Sequence, residues 1–572
     1  MLHTPLRTVV VWLAIVAAAS KAPADPYAEV MKYQVGQPRT AVAAIEAEIR
    51  TAKPEQLRQI ETRLLAILES PAATTDAKAW VCRQLRQAGS ERSAEALGAL
   101  LNNPELANFA RLALQSIPGA KVDAVLREAV GKLDGDLKAG VVLTIGARAD
   151  RQATPILAPL ASDANPTVAE AALYALGQIG GPEALAALQA AKTPDRLSRY
   201  RLHAILRCAE RLAADGKPAE AAAVYRQLAG PSIDAVIRAA ALRGVLAVEK
   251  AKAAPEILNA LRDANPKIGS AAAKAVGDLG DAATWATVLA ELPKLPSQSQ
   301  AVLLRLVCDP SARPVVLKAV QSDQDDVRLA ALEALGRIGD QDAVPLLLNI
   351  AVAEKGPSQA AAREALHALP GKGANAALVS AVTGQQPAAR VEAIRVLAAR
   401  GAAEATPLLL NTARDADKAV RLESLAALAT LAKTDSLPAL VRLLVEAKAE
   451  DRSAAEQAVL AVARRSEDAE AAAGCVLAAM GGQGVEIRTI LLRVAARIPS
   501  RKALDALRAA RRDAEPAMVD AAIRGLAEWP DGAPLGDLLE IARASENKTH
   551  KVLALLGFIR LASLPKARPA AE

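Results

Sequence analysis

Catalysis needs convergent side chains, and this chain offers few that are able to converge. Beyond residue 24 its histidines are His203, His367 and His550, far apart in sequence and outside any H-E-x-x-H or C-x-x-C-H pattern. Neither a zinc-bound hydroxide nor an attached haem is therefore indicated. Gly481-Gly482-Gln483-Gly484 is rich in glycine, but a phosphate-cradling loop joins a strand to a helix, whereas this stretch lies between two helical patterns and reads as a turn. His203 shares a helical pattern with Tyr200 and Cys208 and reads as a partly buried helix residue. Acidic residues are plentiful but show no recognisable paired spacing. The sequence thus predicts no catalytic residue, no metal ligand and no cofactor.

Two further groups of polar or reactive residues remain. Cys82, Cys208, Cys308 and Cys475 are each a hundred or more residues from the next. In stacked helices spaced about 8–10 Å apart that separation far exceeds the roughly 7 Å Cα limit for a disulfide, so four unpaired, buried, small apolar residues are expected. Arg328, Arg390, Arg421 and Arg488 fall at one equivalent position near the start of successive helical patterns. Such a ladder is a candidate partner-binding surface for an acidic protein. The favoured reading is structural, with the same arginines bonding carbonyls and carboxylates of adjacent turns.

The elements that must position these residues are seen most clearly in the segment 325–352, DDVRLAALEALGRIGDQDAVPLLLNIAV. Val327, Ala330, Ala331, Ala334, Leu335 and Ile338 recur at helical spacing and share one face. After Gly339 the chain turns, and Val344, Leu347, Leu348 and Ala351 repeat the spacing, with Pro345 in the first turn where its missing N–H costs little. A second apolar stripe, Leu329, Leu332 and Gly336, needs cover from another hairpin. Hairpins with more apolar faces than one partner can hide must stack in series, which makes a solenoid.

The same six-position register returns in Val168, Ala171, Ala172, Ala175, Leu176 and Ile179, and again in Ile268, Ala271, Ala272, Ala275, Val276 and Leu279. Asn103-Pro104, Asn165-Pro166 and Asn265-Pro266 each place an N-cap acceptor before a proline at the first helical position. Gly180, Gly280 and Gly339 stand where a left-handed residue would end the first helix. Gly177, Gly277 and Gly336 lie inside helices, where glycine costs up to about 1 kcal/mol relative to alanine, and so predict close helix approach.

Several segments depart from that register. Residues 25–73 contain two amphipathic helices, 40–50 and 55–69, that read as an N-terminal cap for the first hairpin. Repeats fill 74–322, less regularly after 194, and 323–564. Residues 194–216 form a longer, tetratricopeptide-like helix with 217–229 as partner, and 292–299 (LPKLPSQS) is the strongest internal break. The helix 549–564 is unusually apolar for an uncovered end and suggests docking on a partner, with 565–572 a disordered tail.

Residues 1–24 read as a signal peptide: Arg7, an apolar run from Thr8 to Ser20, and Ala22-Pro23-Ala24 before Asp25. The run is shorter than the roughly 20 residues of a membrane span, so the mature chain is expected to be exported, periplasmic or extracellular, without stable membrane insertion. Cleavage removes Arg7 and Lys21 and lowers the formal charge from +7 to +5. The densest basic stretch, Arg488, Arg493, Arg497, Arg501, Lys502, Arg508, Arg511 and Arg512, has no interleaved aromatic residues. It reads as a solvated face rather than a nucleic-acid surface.

The motifs VRLAALEALGRIGD (327–340) and PTVAEAALYALGQIGGPEALAAL (166–188) resemble HEAT repeats, in particular the variety called PBS-lyase HEAT-like. The N-terminal region and Trp80-Val81-Cys82-Arg83 are similar to exported bacterial HEAT-repeat proteins. The resemblance implies an all-α, right-handed alpha-alpha superhelix, a HEAT/armadillo-like solenoid, acting as a non-catalytic scaffold for other proteins. Two alternatives accompany it: an accessory or regulatory arm of an exported oxidoreductase or carbohydrate-active enzyme, and a chromophore lyase-like activity, against which the export signal argues.

Overall fold

The computed structural model describes residues 25–564, and the described residues are helices and turns without a strand. The chain divides into two compact units, 1–285 and 286–572. Each is a series of hairpins in which a leading helix packs on the leading helices before and after it, and a shorter trailing helix covers the stack. In the first unit the leading helices Gly135–Ala147, Pro166–Ile179, Asp195–Ala214, Ala235–Glu249 and Pro266–Leu279 follow one another in contact. In the second, the row includes Asp325–Ile338, Pro357–Ala368, Pro387–Ala399, Lys418–Leu431, Arg452–Ala463, Val485–Ala496, Pro516–Ala527 and Lys548–Ala562. This stacked arrangement is an all-α solenoid.

The apolar register explains the stack. Val168, Ala171, Ala172, Ala175, Leu176 and Ile179 are all buried, as are the six equivalent residues from Val327 to Ile338. In the third copy Ile268, Ala272, Ala275 and Val276 are buried, while Ala271 and Leu279 are half-exposed. Leu332 and Gly336, from the second stripe, are buried too. That stripe faces the next leading helix, because a Cβ added at Gly336 would lie 3.1 Å from the Cα of Ala365. Gly177 approaches Ala204 in the same way, at 3.0 Å from its Cα. Gly277 departs from the expectation and is exposed.

Helix ends follow the predicted punctuation in part. The Asn165 and Asn265 side chains accept from the amides of Thr167 and Lys267 at 2.9 and 3.1 Å, which satisfies otherwise orphaned donors. Asn103 accepts from Glu105 at 2.9 Å, but the helix begins only at Ala107. Of the three terminal glycines, Gly180 has φ +65, whereas Gly280 and Gly339 have φ of −66 and −65. Among these three, positive φ is therefore used once; at the other two the glycine sits tight against the preceding turn, since a Cβ at Gly339 would meet the Leu335 carbonyl at 2.4 Å.

At the N-terminal side of the first unit, Thr40–Thr51 and Pro54–Glu69 precede the first regular hairpin. The Trp80 indole donates to Glu46 at 3.1 Å. Buried Glu61 accepts from the Ser90 amide at 2.7 Å and from the Ser93 hydroxyl at 2.6 Å. Asp195–Ala214 is the longer helix expected there, with Pro218–Leu228 as its partner. The break at 292–299 is a short 3-10 turn, Leu292–Lys294, leading into Ser297–Leu306.

Candidate protein-interaction surfaces

The arginine ladder is a real register: Arg328, Arg390, Arg421 and Arg488 are each the fourth residue of a leading helix. Every one is held within the chain. Arg390 pairs with Asp415 and donates to the Val382 carbonyl at 2.8 Å, and Arg488 reaches Asp513 at 2.6 Å. Arg328 bonds Asp325 at 2.6 Å and the Ser322 carbonyl at 3.0 Å. Arg421 lies buried against Asp451 at 2.6 Å and also reaches Glu450 at 2.8 Å and the Ala416 carbonyl at 2.9 Å. A fifth member, Arg238, occupies the fourth position of Ala235–Glu249 and bonds Asp263 at 2.5 Å.

A signal for these pairs was present in the sequence. Arg238, Arg390 and Arg488 each precede their aspartate by 25 residues, and the aspartate opens an Asp-Ala-Asn, Asp-Ala-Asp or Asp-Ala-Glu triplet. The same carboxylate accepts the amide two residues on, at 2.8, 2.9 and 3.0 Å. The Arg238 bond is the foremost cause holding Asp263 below the ordinary carboxylate range, and Arg390 does the same for Asp415.

A second arginine series ends the leading helices. Arg148 donates to the Leu114 and Ile117 carbonyls of the preceding leading helix, and Arg400 repeats this with Leu366 at 3.0 Å and Leu369 at 2.9 Å. Arg465 reaches Ala429 and Ala432, and Arg560 reaches Ala527 and Trp529. Each guanidinium satisfies terminal carbonyls and places positive charge at the negative end of a helix.

With so many arginines committed internally, the exposed aromatic residues stand out. In the first unit a groove of about 200 Å³ runs between Pro166–Ile179 and Asp195–Ala214, floored by Gly177 and Ala204 and walled by Tyr174, Tyr200, His203, Arg207 and Glu210. Tyr174 and Tyr200 are 47% and 48% exposed in a chain with only five tyrosines. Arg207 stands 5.4 Å from the Tyr174 ring centroid, within cation–π range. Arg196 and Arg199, on the same face of the helix, are exposed. The close approach at Gly177 leaves the groove floor without bulk, so the aromatic rings form raised walls.

In the second unit the corresponding groove, about 540 Å³, lies between Val485–Ala496 and Pro516–Ala527. Its floor is Ala496, Ala521 and Gly525, and its walls are Arg464, Arg493, Arg497 and Arg524. The basic stretch expected to be a solvated face therefore splits. Arg493 and Arg497 line this groove, whereas Arg508 and Arg511 bond Asp537 and Glu540. Farther on, Val552, Leu555, Leu556 and Ile559 form an exposed apolar stripe on Lys548–Ala562, 47–62% exposed.

The other chemistry-bearing residues do not gather. His203 is exposed in the first groove, His367 lies 3.3 Å from the Ala399 carbonyl, and His550 lies 3.4 Å from Asp520. All four cysteines are unpaired; Cys82 and Cys208 are buried, and burial pushes each thiol up to about 12. Cys308 is exposed and Cys475 half-buried, contrary to the expectation that all four would be buried. Gly482 takes φ +74 in the turn between Ala469–Ala478 and Val485–Ala496. Among the described residues no group of three or more His, Cys, Asp or Glu is placed to hold a metal. No helix among them is long and apolar enough to cross a membrane.

The stacked hairpins define a HEAT/armadillo-like α-solenoid. Residues 122–206, 298–367 and 375–460 match the family model for HEAT repeats. No curated protein matches the chain. Among solved structures, it is similar to Kap95p in a structure described for RanGDP and nuclear import complex assembly, at 13% identity and TM-score 0.36, covering 94% of this chain and 82% of that one. The karyopherin Kap121p bound to the SUMO protease Ulp1p is matched at 11% identity and TM-score 0.35, covering 93% and 81%. At these values the likeness concerns the fold alone.

These matches correct the expected type. The matching family model is the general HEAT repeat rather than the PBS-lyase HEAT-like variety, and the matched structures are of karyopherins rather than exported bacterial proteins. The exported identity, the periplasmic or extracellular location and the role as an arm of an exported enzyme have no support among these matches and are not carried further. The signal peptide on which they depended, residues 1–24, and the tail 565–572 lie outside the described residues.

Proposed function

We propose that the chain is a non-catalytic scaffold that binds other proteins through the outward faces of its leading helices. The observation that carries this reading is the Tyr174–Tyr200–Arg207 groove. Tyrosine and arginine are enriched where interfaces concentrate their binding energy, and here two tyrosines and an arginine stand exposed around a groove of about 200 Å³, below the roughly 300–1,000 Å³ of small-molecule sites. The apolar stripe from Val552 to Ile559 supports the same reading, since contiguous exposed apolar residues mark interaction sites. The ladder residues Arg328, Arg390, Arg421 and Arg488 serve this function indirectly, by fixing the helices that carry the surfaces. Affinity capture from source cells tests the proposal by comparing the wild-type chain with a Tyr174→Ala/Tyr200→Ala variant. A discrete protein retained by the first and lost by the second, at unchanged melting temperature, is expected. Identical captured sets would contradict it.

A further inference from the structure

We propose that the arginine-walled groove of the second unit binds a phosphorylated side chain of a protein partner. For the nature of the carrier this rests on the protein-binding reading above, while the anion site itself stands on separate residues. Val485–Ala496 and Pro516–Ala527 come close at Gly525, where an added Cβ would lie 2.8 Å from the Ala496 Cβ and 2.8 Å from a Leu507 methyl carbon. This contact gives a floor without bulky side chains, and the arginines stand around it. Arg493 and Arg497 both lean toward Glu456, at 3.7 Å each, which is an ion-pair distance but too long for a hydrogen bond. One carboxylate is thus shared by two guanidinium groups, leaving their N–H donors unfilled.

Arg464, just beyond the end of Arg452–Ala463, also lines the groove; it is exposed and, among the described residues, forms no ion pair. Arg524 is held by Asp520 at 2.7 Å, with His550 also near that carboxylate at 3.4 Å. Glu528 is the carboxylate in the lining. Three guanidinium groups with free donors therefore surround a volume of about 540 Å³, which lies within the usual range for ligand sites. A carboxylate fills one guanidinium fork, whereas a phosphoryl group carries up to two charges and three acceptor oxygens, enough for several. The count of unfilled donors therefore favours the dianion.

The test is calorimetric titration of the full chain at fixed ionic strength, because exposed charge contacts weaken with salt. The probes are N-acetyl-phosphoserine amide, N-acetyl-glutamate amide and inorganic phosphate. The phosphoserine derivative is expected to bind at least ten-fold more tightly than the glutamate derivative and more tightly than inorganic phosphate. Arg493→Gln/Arg497→Gln should weaken it ten-fold or more with an unchanged melting curve, while Arg508→Gln, outside the groove, should leave it unchanged. If the double variant melts early, Arg464→Gln supplies the same comparison, since among the described residues that side chain has no ion pair to lose. Equal affinity for the glutamate derivative, or unaltered binding by the groove variants, would overturn the site. Inorganic phosphate binding as tightly as the phosphoserine derivative would overturn the protein source. Loss of the first unit's partner with phosphoserine binding intact would separate failure of the scaffold reading from failure of this one.

Discussion

The grooves of the two units occupy the same kind of place in the repeat and differ in what lines them. Each lies between consecutive leading helices, at a glycine that allows the next helix to come close: Gly177 against Ala204 in one, Gly525 against Ala496 in the other. The first is walled by tyrosines with a stacked arginine, the second by arginines. A buried glycine–alanine contact fixes the spacing and leaves the outward positions free to vary. The architecture is thus repeated while the surface chemistry is local, which is why a regular fold does not announce a single ligand.

The largest expected effect comes from attacking the shared floor. Gly177→Leu should cost about 3 kcal/mol, because the new side chain would meet the Ala204 backbone, and overpacking of this kind costs roughly 1–3 kcal/mol or more. Gly525→Leu should cost at least as much, since an added Cβ would lie 2.8 Å from the Ala496 Cβ, which is fixed to its backbone, as well as 2.8 Å from a movable Leu507 methyl; urea unfolding of both variants measures the two losses. Gly336→Leu, facing the Ala365 backbone at 3.1 Å, should behave like Gly177→Leu. A loss at either position no larger than that of an ordinary surface substitution, about 0.5 kcal/mol, would mean that the glycine does not set the helix spacing there.

Next in size is a change below the surface. Arg421→Met strands buried Asp451, since removing one member of a buried pair leaves an uncompensated charge. A drop of several degrees in melting temperature is expected, whereas Arg207→Ala on the exposed wall should alter stability by no more than about 0.5 kcal/mol. Differential scanning calorimetry checks both. If Arg207→Ala proved the more destabilising, the division between structural and surface arginines would fail.

The smallest effect is in acid. Asp263 and Asp415 have folded pKa values held below the ordinary carboxylate value of 3.8, first by their bonds to Arg238 and Arg390. Groups lowered in the folded state add stability above that value and lose it as pH falls through the folded pKa. Melting temperature should therefore fall more steeply below about pH 4 in wild type than in Arg390→Gln, which no longer depresses Asp415. Parallel acid curves would remove the ladder's electrostatic role in the second unit.

The fold was legible because its signal is periodic. Val168, Ile268 and Val327 announced themselves by spacing alone, and all three are buried. The glycines were harder, because Gly180, Gly280 and Gly339 look alike in sequence while only Gly180 takes positive φ; local carbonyl packing decides the other two. Arg328, Arg390, Arg421 and Arg488 were found, but Arg238 and the carbonyl-capping series at Arg148, Arg400 and Arg560 were missed. Their partners lie about 25 to 34 residues away, beyond any local motif. The grooves could not be read at all, since Tyr174 and Arg207 meet only when two leading helices are stacked.

The most direct test of protein binding through the leading-helix face is site-specific photo-crosslinking in source cells. A benzophenone amino acid replaces either Tyr200, in the first groove, or Glu183, exposed at the start of the trailing helix Gly181–Ala190. A discrete adduct from position 200, absent from position 183 and abolished by Arg207→Glu, is predicted. No adduct at position 200, or the same adducts from both positions, would contradict it.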